Sequence, residues 1–246
     1  EFSPTSVKAG LYGSFLAGVV LLLLAAYAVW DRLVGSAQMD GARRVAVNSV
    51  GPMAASLLNK AIDFAFAMLM LRVLGSEGAG SYYYAVAVIG FAEIFTNFGL
   101  NLFTTREVAR RRERAGEVLA STSMLRIVLW FLAIPLMAGY LSLERSTGSP
   151  VDRETTLALV LLAVSLLPAG LNTALSSVFQ GLERMVLPAV VTIVATLVKV
   201  SLGAMALLAG LGFVGLAAVS IVTNLITLAL LATLMRYPGK VLTREQ

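Results

Sequence analysis

The sequence contains no cysteine and no histidine. These absences exclude disulfides, thiol nucleophiles and imidazole bases, and they remove the commonest protein ligands of transition metals. We therefore expect no metal centre and no cofactor. Because the loops are also short, we expect no enzymatic activity. Charged residues are also scarce, at 13% of the 246 residues, whereas soluble domains contain about 25%. Together with a hydrophobic share of 58%, this scarcity indicates a protein that lies in a bilayer.

Long apolar windows recur along the whole chain, and each is long enough to cross roughly 30 Å of hydrocarbon. The windows are residues 11–30, 46–71, 82–104, 118–142, 156–178, 187–209 and 213–235. They are continuous apolar runs rather than short alternating strands, so helices are the expected spanning elements. The connections are too short to fold as separate domains. The predicted fold class is therefore an all-α integral membrane protein.

The first window differs from the others because its core has no charged, amide or threonine side chain. A cleaved signal peptide is one interpretation, since Lys8 precedes the apolar run and small residues follow it. The length of the run favours a membrane anchor. The chain begins at Glu1, which indicates a truncated product or fragment. We predict an extra transmembrane helix with its linker over residues 1–38 and a six-helix lobe over residues 39–246.

Basic residues concentrate in alternate connections between the windows. One side carries Arg32, Arg43, Arg44, Arg106, Arg110, Arg111, Arg112, Arg114, Arg184, Arg236, Lys240 and Arg244. Because cytoplasmic loops of membrane proteins are enriched in Lys and Arg, this side and the C-terminus are expected to be cytoplasmic. The same bias accounts for the net charge of +5, so we expect no nucleic-acid partner. The expected location is the cytoplasmic membrane, crossed several times.

Polar residues recur at spacings of three or four in six of the windows, which places them on one face of each helix. The stripes include Asn59 and Asp63, then Glu93, Asn97 and Asn101, then Thr122 and Arg126, then Ser165 and Asn172, then Thr192 and Lys199, then Ser220 and Asn224. The polar groups on these six faces find hydrogen-bond partners most simply if all six faces turn toward a shared interior, either packed or filled with water. The alternative is that they only join helices, through hydrogen bonds of about 0.6 to 2 kcal/mol each.

Five ionisable side chains lie deep in the windows: Lys60, Asp63, Glu93, Arg126 and Lys199. Each charge costs about 2.5 to 3.5 kcal/mol at mid-helix, so it needs a hydrated or paired environment. Lys60 and Asp63 are close enough to neutralise each other on one helix, and Asp63 can alternatively pair across helices. The other three have no partner on their own helix and require one from another helix, water or substrate.

Three stretches resemble the oligosaccharide flippase branch of the multidrug/oligosaccharidyl-lipid/polysaccharide exporter superfamily. The first is Arg72-Val-Leu-Gly-Ser-Glu-Gly-Ala-Gly-Ser-Tyr82, similar to the link between the first two helices of that family. Next come Asn97-Phe-Gly-Leu and Arg106-Glu-Val-Ala-Arg-Arg in the same order and spacing. The last is Gln180-Gly-Leu-Glu-Arg-Met185, which resembles the link between the fourth and fifth helices. The resemblance covers about residues 45 to 235.

The resemblance implies a function and a set of site residues. Such a lobe helps to translocate polyprenyl-pyrophosphate-linked oligosaccharide for cell-envelope polysaccharide synthesis. Family members carry two six-helix lobes around a cavity, so a second lobe or a homodimer partner is expected beside the bilayer and the lipid-linked glycan. The expected cavity residues are Lys60, Asn97, Arg126, Asn172, Lys199 and Asn224. The expected residues for cation or proton coupling are Asp63 and Glu93.

Three other functions fit parts of the pattern. A cation-coupled multidrug exporter of the same superfamily would use the same fold with a more apolar cavity. A membrane glycan polymerase or glycosyltransferase would need acid–base chemistry outside the membrane, which these short loops supply poorly. A non-transporting scaffold subunit would not need polar faces on six helices.

Overall fold

The computed structural model describes residues 41–146 and 152–236. Within these ranges 94% of residues are helical and there is no strand, which confirms the all-α fold class. The helices are α1 (Gly41–Asn97), α2 (Leu100–Arg110), α3 (Ala115–Ser146), α4 (Arg153–Gly181), α5 (Val186–Leu208) and α6 (Gly212–Arg236). The first apolar window lies outside the described residues, so its assignment as an anchor stays a prediction.

Five helical stretches of the described chain are long and apolar enough to cross a membrane. They are Met53–Arg110, Arg112–Glu144, Arg153–Gly181, Val186–Leu208 and Gly212–Met235. The last four stretches correspond to the predicted windows 118–142, 156–178, 187–209 and 213–235. The first stretch includes residues 53–71 of the predicted window 46–71 and the whole window 82–104, without the loop that we expected between them.

The chain reverses within α1 at a single residue, Gly75. Its backbone angles, φ 71° and ψ −178°, are non-helical and are accessible in practice only to glycine. A straight helix would hold Phe66 and Tyr82 about 24 Å apart, yet both pack against the same buried cluster, which includes Met70 and Ala79. The helix is therefore two arms folded toward each other, a first arm over residues 41–74 and a second arm over residues 76–97.

A second break follows the second arm, at Phe98 and Gly99. Both residues have positive φ, 22° and 75°, and α2 starts anew at Leu100. The continuous helix predicted over residues 82–104 is therefore wrong at this point. The apolar pattern runs straight through the break, whereas the glycine allows a left-handed backbone that separates two helices.

The fourth helix is the centre of the lobe. It packs most extensively against α6 and also contacts α1, α2 and α3, while α5 packs against α1 and α6. Its residues Leu159, Leu162 and Leu166 form a core with Ala85 of the second arm and Ala217 of α6. The helices α5 and α6 thus connect the first arm to the rest of the lobe, and a gap remains between the two arms.

Replacing Gly75 by alanine is expected to destabilise the lobe by about 1 to 3 kcal/mol, because a side chain is strained at this positive φ. The matched control is Gly80→Ala, in the helical part of the second arm, where a Cβ would meet nothing within 4 Å. That change is expected to stabilise the helix by about 0.5 to 1 kcal/mol. Thermal unfolding of both variants in detergent gives the comparison, and equal midpoints would contradict a reversal that depends on Gly75.

Candidate functional site

The gap between the arms forms a cleft with a volume of about 210 Å³. Its walls are the two arms of α1, and its floor is formed by α5 and α6. Most of the lining is apolar and includes Phe66, Met70 and Leu216. The polar groups in the lining come from both arms, from α5 and from α6: Asp63, Tyr82, Tyr83, Lys199 and Ser220. Two charged side chains therefore line an open cleft within a bundle of membrane-spanning helices.

An ion pair crosses the cleft between the first arm and α5. Lys199 Nζ donates to Asp63 Oδ1 at 2.7 Å. The two side chains remain 40% and 44% exposed, so the pair is open to the cleft. The sequence allowed Asp63 to pair with Lys60 on its own helix or with a residue of another helix. In the structure Asp63 pairs with Lys199, on another helix. Lys60 lies one turn earlier on the first arm, and its side chain is exposed.

A close helix contact brings the two ions together. Gly203 lies one turn after Lys199, and a Cβ at this position would approach Phe66 Cζ to 2.7 Å. Phe66 in turn lies one turn after Asp63. Because glycine has no Cβ, the first arm and α5 approach closely just beyond the charged pair. This packing holds the carboxylate within hydrogen-bonding distance of the ammonium group.

A second polar cluster surrounds Arg126, which is only 2% exposed. Arg126 Nη1 donates to Asn97 Oδ1 at 2.5 Å and to the Gly170 carbonyl at 3.0 Å, and Nη2 donates to Asn101 Oδ1. Asn97 ends α1 and Asn101 lies in the first turn of α2, so the guanidinium bridges the break at Gly99. All three acceptors are neutral. Within the described residues, Arg126 Nε has no hydrogen-bond partner.

A third cluster joins α4 to α6. Asn172 Nδ2 donates to the backbone carbonyl of Asn224 at 3.0 Å and to its Oδ1 at 3.2 Å. Asn224 Nδ2 donates to Ser165 Oγ at 2.9 Å. Gly170 and Asn172 are two residues apart, so they point to opposite sides of α4. The helix therefore separates the Arg126 cluster from the Asn172 cluster.

The residues expected at one site thus lie in several places. Only Lys199 and Asp63 line the cleft, while Asn97 with Arg126, and Asn172 with Asn224, lie at helix junctions. Glu93 is exposed on the second arm, seven residues after the cleft residue Val86 and therefore on the same face. Lys60 and Glu93 continue the cleft faces of the two arms toward the expected cytoplasmic side.

The cleft residue Tyr82 was not among the candidate site residues chosen from the sequence. The reversal at Gly75 brings Tyr82 into the lining of the cleft, opposite the first arm. A signal was present, because Tyr82 precedes Val86, Gly90 and Glu93 at helical spacing. The polar stripe of the second arm therefore begins one turn before Val86.

Residues 47–245 match the model of the family described as polysaccharide biosynthesis protein. The chain belongs to this family. The match covers all five membrane-spanning stretches, so this family member is a multi-pass membrane protein of polysaccharide biosynthesis whose helices contact the bilayer. No curated protein and no solved structure matches the chain significantly.

Replacing Arg126 by methionine is expected to lower the free energy of unfolding by about 1 to 3 kcal/mol, because the Asn97 and Asn101 amides lose their shared donor at a buried site. The matched control is Arg106→Met, which removes an exposed arginine near the end of α2. Thermal unfolding in the same detergent reports both changes. A control that loses as much stability as Arg126→Met would contradict the bridging role.

Proposed function

We propose that the chain is one lobe of a flippase that moves polyprenyl-pyrophosphate-linked oligosaccharide from the cytoplasmic to the outer leaflet. The observation that carries the proposal is the half-exposed Lys199 ammonium in an open cleft between membrane-spanning helices. A fixed cation at this depth is costly, whereas it is useful if a phosphate group must pass. The family description places the chain in polysaccharide biosynthesis, which supplies a substrate of this kind.

The amphipathic nature of such a substrate fits the division of surfaces on the lobe. The glycan and pyrophosphate need a polar route, while the prenyl chain remains in lipid. Lys60, Asp63 and Glu93 lie along the cleft faces of the two arms, and Lys199 lies opposite them on α5. Together they give a route with both donors and acceptors. The outer surface of α3 exposes large apolar side chains such as Met124 and Phe131, as expected for contact with lipid.

The proposed transporter includes a second lobe or a second copy of this chain. Lys60 and Glu93 are exposed, and both lie within the stretch Met53–Arg110, which is long and apolar enough to cross a membrane. An isolated charge in hydrocarbon costs about 2.5 to 3.5 kcal/mol on insertion scales, so another protein surface or enclosed water is needed around them. A facing lobe would enclose the cleft and convert it into a cavity. The cytoplasmic position of the C-terminus is part of the same proposal, because basic residues are concentrated on that side.

One feature of the cleft favours a second candidate, a cation-coupled drug exporter. Phe66, Tyr82 and Tyr83 line the cleft together with the Asp63 carboxylate. Aromatic faces and a carboxylate are groups that recognise organic cations. The half-exposed lysine disfavours this candidate, because a fixed positive charge repels a cationic drug.

Replacing Lys199 by methionine is expected to reduce glycolipid translocation by about tenfold or more, because charge-assisted hydrogen bonds contribute about 1.5 to 3 kcal/mol. The assay follows a fluorescent polyprenyl-pyrophosphate oligosaccharide that becomes inaccessible to a quencher outside liposomes containing the chain.

The matched control is Arg110→Met, which removes an exposed charge outside the cleft and is expected to leave the rate unchanged. If liposomes with the wild-type chain take up a labelled organic cation but do not translocate the glycolipid, the result would contradict the flippase function and support the exporter function.

A further inference from the structure

The cation of the cleft is masked by its own carboxylate. Lys199 Nζ lies 2.7 Å from Asp63 Oδ1, a distance typical of a full charge-assisted hydrogen bond. A phosphate group that approached Lys199 would meet the negative charge of Asp63 at the same place. In this arrangement the pair presents no net charge to an anion, and its carboxylate opposes binding.

None of the other groups that face Asp63 is a carboxylate. On the first arm, Lys60 lies one turn away and is exposed. The second arm contributes the phenols of Tyr82 and Tyr83, and α5 contributes Lys199. From α6 comes Ser220, whose hydroxyl donates to the Leu216 carbonyl at 3.1 Å. Among the described residues that line the cleft, Asp63 is therefore the only carboxylate.

Neutralising Asp63 thus changes the net charge of the cleft lining from zero to positive. A proton or a small monovalent cation on Asp63 removes the competitor, and Lys199 then offers an uncompensated positive charge. We infer that binding of a pyrophosphate group at Lys199 is positively linked to neutralisation of Asp63, so that anion and cation bind together. The inference rests on the proposed function and adds the sign of the coupling. Because linkage is reciprocal, the anion raises the affinity of Asp63 for its cation by the same factor.

The test measures affinity for farnesyl pyrophosphate with the full chain in nanodiscs of zwitterionic lipid. Asp63→Asn imitates the neutralised carboxylate and is expected to bind the probe about tenfold more tightly than the wild type, within the usual range of coupling between sites. Lys199→Met is expected to bind it about tenfold more weakly. Inorganic pyrophosphate should follow the same order, whereas farnesol, which lacks the phosphates, should bind all three proteins equally.

A second measurement needs no variant. Wild-type affinity is recorded against sodium concentration at fixed pH and ionic strength, and against pH without sodium. Affinity that increases only with sodium identifies sodium as the cation, and affinity that increases only as the pH falls identifies the proton. Asp63→Asn is expected to abolish the increase in either case.

Two results would overturn the linkage. One is weaker binding by Asp63→Asn with an unchanged unfolding midpoint, as a purely structural ion pair would require. The other is wild-type affinity that is independent of both cations. In either case pyrophosphate still binds and the proposed function stands. No binding by the wild type or by Asp63→Asn under any condition would overturn both proposals.

Discussion

A charge or a backbone amide within a bilayer must find its partner in the protein, because hydrocarbon supplies none. Most features of this lobe follow from that constraint. Its spanning segments are helices, which pair their own backbone groups. Its buried hydroxyl groups, such as those of Thr104 and Thr223, donate to carbonyls of their own helix. Its buried guanidinium and amide groups instead meet in small clusters that join helices distant in sequence. The guanidinium of Arg126 joins α3 to both sides of the Gly99 break and to α4 in this way.

Glycines determine which partners can meet. Gly75 folds the two arms of α1 together, so that Asp63 and Tyr82 line the same cleft although they are far apart along the helix. Gly203 lets the first arm approach α5 beside the Lys199 pair. Gly181 has a similar role at another junction, since a Cβ there would lie 2.8 Å from the Thr105 carbonyl oxygen of α2. At Gly203 and Gly181, a side chain would prevent this close approach between helices.

The helices could be predicted from sequence because hydrophobic length and helical periodicity are local properties. The stripe containing Asp63 and the stripe containing Lys199 were recognisable for the same reason, as was their need for partners on other helices. The pairing itself was not predictable, since it depends on the direction of the chain after Gly75. The break at Gly99 was missed because the apolar pattern continues through it. Tyr82 was likewise missed as a site residue, because it lines the cleft only after the chain reverses.

The distribution of charge differs from the sequence-level count in a way that matters for the cleft. Counted together, the intramembrane charges show one more positive than negative group. Arg126, however, is buried at the carboxyl end of α1, where the helix dipole and three neutral oxygens stabilise a cation. The faces of the two arms and α5 then carry Lys60 and Lys199 against Asp63 and Glu93, which is a balanced set. A balanced set attracts an anion only after a carboxylate is neutralised, and Asp63 is the carboxylate that lies against the cleft lysine.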